Sequence, residues 1–128
     1  MNIGIKKNLS ISFDEALAAV PEALKAEGFG ILTEIDVQKT LDEKLHVPFR
    51  RYRILGACNP PLAHRVLTAE TDAGVMLPCN VIVYEGDDGR AVVTAVDPMQ
   101  TLAREHPVLE PVAREVQEKL TRVVEKLR

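Results

Sequence analysis

Apolar residues recur along this chain at two spacings, every second residue or every third and fourth, and the switch between them marks out the elements. Ile3, Ile5 and Leu9 alternate with Gly4, Lys6 and Asn8 and predict an edge-type strand over 3–9, with Lys7 out of step. Ser12-Phe13-Asp14-Glu15 is a capping box, so a helix is expected from Phe13, with Phe13, Leu17, Val20 and Leu24 as its apolar stripe. Pro21 is expected to kink that helix or open a second one, and Gly28 to end it. Residues 30–37 read as a strand, with Ile31, Thr33 and Ile35 facing one way and Leu32, Glu34 and Asp36 the other. Asp36 then caps a short helix over Val37–Leu45, with Leu41 and Leu45 inward.

A third strand is predicted over 51–58, and a helix over 60–70 with Asn59 as its N-cap and Leu62, Val66 and Ala69 inward. Strands over 80–85 and 90–96 flank the turn Gly86-Asp87-Asp88-Gly89, and a short helical piece is expected at 99–103. Leu109, Val112, Val116, Leu120, Val123 and Leu127 make the last helix the clearest. Its outer face offers Glu115–Lys119 and Glu118–Arg122 pairs, spaced four apart.

The resulting order, β-α-β-(α)-β-α-β-β-α, predicts an α+β two-layer fold: an antiparallel sheet with helices on one face. At 128 residues the chain forms a single domain, 1–128, able to bury its own core. Val81 to Tyr84 and Ala91 to Val96 are apolar on both sides, which one layer of helices cannot cover. The uncovered side calls for a partner or a ligand, and a homodimer is the simplest expectation.

Composition narrows the partners. A net charge of −3, with only three Phe, two Tyr and no Trp, argues against a nucleic-acid binder. The N-terminal residues lack a secretory apolar stretch, and the longest uncharged run, 73–84, is too short to span a membrane. A cytoplasmic location is expected, where two cysteines read as free thiols or metal ligands rather than a disulfide.

Those cysteines carry the candidate chemistry. If strands 51–58 and 80–85 are antiparallel neighbours, Cys58 and Cys79 lie at one end of the sheet. Cys58 also precedes a helix N-terminus, a placement that favours thiolate. Cys58, Asn59, His64 and Cys79 are therefore the candidate reactive or ligand-binding residues, for a small-molecule, sulfur or redox site. The competing reading is that both cysteines are small buried hydrophobes in a non-catalytic interaction module. A soft metal on Cys58, His64 and Cys79, with Glu70 or His46 as fourth ligand, is a further alternative, although no C-x-x-C or H-x-x-x-H supports it. Glu34 and Asp36 share a strand face as a secondary acid–base candidate, but ion pairs with Arg51 and Arg53 explain them more simply. Phosphate loops, G-x-S-x-G and H-E-x-x-H are absent.

The segments TEIDVQKTLDEKL, ILGACNPPLAHRVL and LPCNVIVYE, in this order, resemble the bacterial and archaeal domain of unknown function numbered 302. The resemblance runs over 35–97, with the flanking first and last helices also in keeping; C-N-P and L-P-C-N are its most specific parts and Pro21 its least typical flanking feature. It implies a small β-α-β(4)-α domain and no established activity or cofactor. The residues themselves assign no cofactor and leave open whether the chain is an enzyme.

Overall fold

A computed structural model describes residues 2–128. Strands β1 (Gly4–Ser12), β2 (Gly30–Asp36), β3 (Tyr52–Cys58), β4 (Cys79–Glu85) and β5 (Arg90–Val96) form one five-stranded sheet in the order β1-β5-β4-β3-β2. Every neighbouring pair is antiparallel. The helices are α1 (Phe13–Ala26), α2 (Val37–Leu45), α3 (Pro60–Ala69), α4 (Leu102–Glu105) and α5 (Glu110–Lys126). The two-layer α+β arrangement expected from the sequence is the one observed.

Alternation along the strands builds the core. Leu55, Val81 and Ala95 lie in register on one face, as do Val83 and Val93, all fully buried. Helices α1 and α5 cover that face with Phe13, Val20, Leu24, Leu120 and Val123, each no more than 2% exposed. Alternation places Ile54, Ile82, Thr94 and Lys6 on the other face, also in register, where none of the described helices buries them.

End chemistry explains the helix boundaries. Ser12 Oγ accepts from the Glu15 N–H and Glu15 Oε1 accepts from the Ser12 N–H, which closes the capping box. At the other end of α1 the Phe29 N–H donates to the Leu24 carbonyl and Gly28 to Lys25, with Gly28 at φ +87°. That is the bond pattern of a Schellman cap, which needs glycine's left-handed backbone. With both ends fixed, α1 runs unbroken through Pro21 instead of splitting.

Several expectations change. A bulge between Ile31 and Thr33 adds one residue to β2, so Ile31 and Thr33 face opposite sides. Leu45 is 63% exposed because α2 buries none of its residues, and Ala69 is exposed at the end of α3. The segment after α3, Thr71–Met76, is a 3₁₀ helix rather than an open loop. The short helical piece forms later than expected, at Leu102–Glu105. Lys7, out of step in the strand, reaches the carbonyls of Glu125 and Leu127 and neutralises the C-terminal end of α5. On α5, Glu115 pairs with Arg65 at 2.7 Å and Arg122 with Glu27 at 3.0 Å, so tertiary partners displace the expected pairs along the helix.

Candidate functional site

The cysteine corner is built by the β3–β4 pairing. Ala57 lies opposite Cys79, so the next residue, Cys58, ends its strand beside Cys79 as the pairing argument required. Both are free and both line one cavity of about 40 Å³, walled by Phe29, Leu62, Val66, Leu77 and Val116. That volume admits a water or two and no substrate. Cys79 is buried, and burial, followed by the nearby Cys58, pushes its thiol up to about 11. It stays protonated at neutral pH.

The tip of α3 offers Cys58 less than its position promises. Pro60 and Pro61 fill the first two helical positions and carry no N–H. The Leu62 N–H donates to Asn59 Oδ1 at 3.4 Å, and the Ala63 N–H to the Asn59 carbonyl at 2.9 Å. The first-turn donors that would bind an anion are absent or taken. Asn59 does a second job: its Nδ2 donates to the Glu27 carbonyl at 3.3 Å, tying the end of α1 to the start of α3. Asn59→Asp keeps the cap acceptor but loses that donor, so it is expected to destabilise the fold by about 1–2 kcal/mol in urea unfolding. An Asn59→Asp protein as stable as wild type would show that the tie contributes nothing.

His64 does not join the cysteines; it stands exposed on the outer side of α3. Glu70 pairs with His106 at 3.1 Å, and His46 occupies the left-handed end of α2. Among the described residues no group of three or more His, Cys, Asp or Glu is placed to hold a metal ion, so the soft-metal alternative lacks its ligands. Glu34 and Asp36 both pair with Arg53, at 3.0 and 3.4 Å, as the ion-pair reading expected. Arg51 instead binds Asp14, and both arginines lie at the rim of the helix-covered side, not on the outward face. The Arg51 hydrogen bond holds the Asp14 carboxyl below its ordinary range.

The larger concavity lies on the uncovered sheet face, a groove of about 640 Å³. Ile82 and Thr94 lie in its floor, and Tyr52 and Tyr84, paired across β3 and β4, stack with ring centroids 5.4 Å apart and planes at 9°. Phe49 sits 6.1 Å from Tyr52, and the Arg50 guanidinium lies 5.8 Å from the Tyr84 ring. Burial, followed by the Tyr84 phenol, raises the Tyr52 pKa above its ordinary value. Lys6 and Arg50 line the groove, and no carboxylate does.

The chain matches the family described as "Domain of unknown function DUF302" over residues 5–127. It belongs to the DUF302 family. The crystal structure of an uncharacterized conserved DUF302 protein from Bacillus stearothermophilus is similar over the whole of both chains, with TM-score 0.90 and 29% identity. No curated protein matches the chain. The DUF302 match extends well beyond 35–97 and takes in β1, α1 and α5.

In this DUF302 domain the C-N-P stretch is accounted for by structure: a strand end, a helix cap and a helix start. Sequence reasoning missed the groove residues Lys6, Phe49, Arg50, Tyr52 and Tyr84. The signal available was indirect, in strands apolar on both sides. It flags an uncovered face without saying which side chains meet there.

Proposed function

We propose that this domain binds rather than catalyses, and that its working surface is the uncovered sheet face. The observation that carries this is the groove of about 640 Å³, floored by Ile82 and the stacked tyrosines. Its volume is that of a small-molecule site, and its make-up, apolar with a few placed polar groups, is that of a recognition surface. A second copy of the chain is the rival occupant, favoured by Ile3, Ile35 and Phe49, each at least 40% exposed. The small-molecule, sulfur or redox site around Cys58 and Cys79 is a separate reading, favoured by their sharing one cavity and opposed by its size. No helix among the described residues is long and apolar enough to cross a membrane.

Ile82→Glu places a charge in the middle of the groove. Native mass spectrometry of freshly isolated wild-type protein is expected to show a retained small molecule that the folded Ile82→Glu protein lacks. A doubled mass that Ile82→Glu returns to a single chain would transfer the face to a second copy. Identical spectra for the two folded proteins would remove it as a binding surface.

A further inference from the structure

The groove carries one sign of charge on a chain of the opposite sign. The protein as a whole has a net charge of −3, yet the groove is lined by Lys6 and Arg50 and by no acid. Lys6 stands in no ion pair among the described residues. Among the described residues Arg50 is held by Asp87, itself 95% exposed, at 3.1 Å and by the Glu85 carbonyl at 3.2 Å. A surface pair of that kind is weak, so the guanidinium remains available to a better anion.

These cations flank apolar and aromatic ground. Lys6 lies in register with Thr94, and Thr94 with Ile82, so the ammonium rises from the β1 side of the floor. Arg50 stands beside the Tyr84 ring at the end of the groove nearest the β4–β5 turn, where it meets the Glu85 carbonyl and Asp87. A floor of Ile82 beside two stacked aromatic rings accepts an aromatic ring, and the two cations accept its charge.

Resting on the binding reading above, we propose that the groove takes a small planar anion, an aromatic ring bearing a carboxylate, sulfonate or phosphate. The ring lies against Ile82 and the tyrosine pair, and the charged group faces Lys6 and Arg50. The same cations disfavour a second copy. A two-fold axis through this face would crowd two Lys6 and two Arg50 side chains together, with Asp87 on Arg50 as their one counter-ion per chain and none for Lys6 among the described residues, and unpaired buried charge is costly.

The chain's two tyrosines both line the groove, so their ring resonances report its occupancy directly. The test titrates the full chain with 8-anilinonaphthalene-1-sulfonate and with N-phenyl-1-naphthylamine, the same ring system without the charge. The sulfonate is expected to shift both tyrosines saturably, one per chain, with at least tenfold tighter binding than the amine. Lys6→Gln combined with Arg50→Gln is expected to abolish that preference while the tyrosine signals stay those of a folded protein. Equal binding of the two probes at the tyrosines would overturn the anion inference and leave the binding face standing. Tyrosine resonances that neither probe moves would overturn both, whereas a doubled native mass with the tyrosines shielded from probe would overturn the anion inference and give the face to a second copy.

Discussion

Phe13→Ala is expected to lower the unfolding free energy by about 3–5 kcal/mol, a large share of the roughly 5–15 kcal/mol that holds a domain of this size. Phe13 is 2% exposed and is the first residue of α1, inside the capping box that Ser12 and Glu15 close. Its ring packs into the core between α1 and the sheet, and the Arg51 guanidinium lies over it at 4.4 Å. Truncation leaves a cavity at the helix start and removes the aromatic face from under Arg51, whose carboxylate partner Asp14 is the next residue. Two losses therefore fall on one site, the packed ring and the seat of an ion pair. Phe49→Ala is the control: Phe49 is 43% exposed, and its loss is expected to change stability by less than about 1 kcal/mol. Urea unfolding with an unchanged slope measures both. A Phe13→Ala protein within about 1 kcal/mol of wild type would mean that the α1–sheet contact is not where the stability lies.

The sequence is most legible where a single residue type has a single backbone use. Ser12, Asp36 and Asn59 start helices, and Gly28 ends one, within a residue of where turn and cap chemistry predicts. The stripe of the last helix is read correctly too, because Val112, Val116, Leu120 and Val123 have only one way to be buried together. Properties that depend on pairing leave no local trace. The bulge in β2 inserts a residue without changing composition, so the facing of Ile31 and Thr33 was misread. Glu115 and Arg122 had good partners along their own helix and better ones elsewhere.

The same distinction separates the two candidate sites. Cys58 and Asn59 are conspicuous as letters, and a strand–helix junction with a nearby second thiol was a sound inference from them. What empties the helix tip of anion-binding donors is the combination of Pro60, Pro61 and the Asn59 cap, each readable alone and decisive only together. The second bond of Asn59 goes to Glu27, 32 residues away, and only the fold brings that carbonyl within reach. The groove is the reverse case. Tyr52, Tyr84, Lys6 and Arg50 are unremarked as letters, and become a surface only when register sets β5 and β4 between β1 and β3.

Cys79 is expected to react with iodoacetamide at pH 8 about 100-fold more slowly in the folded chain than in urea. The thiolate is the nucleophile, and a thiol raised from 9.0 to about 11 holds about 100-fold less of it at that pH. Cys58, half-buried, is expected to be modified first. Stability carries the same signature. The folded state raises this pKa, so the thiol's contribution is fully present below about pH 9 and is lost as pH rises toward about 11, where the unfolded chain gains the thiolate first. A shift of that size corresponds to roughly 3 kcal/mol, of which about 2 kcal/mol is gone by about pH 10.5. Comparing urea midpoints of wild type and Cys79→Ala at pH 8 and pH 10.5 isolates this term, because every other titrating group is common to both. Wild type is expected to lose about 2 kcal/mol more than the variant between the two pH values. A slow, pH-sensitive Cys79 makes the thiol a packed core atom and removes it as a nucleophile in that corner. Modification as fast as in the unfolded chain, with no extra loss of stability above pH 9, would instead place an accessible, ionisable sulfur next to Cys58 and return the chemistry to that corner.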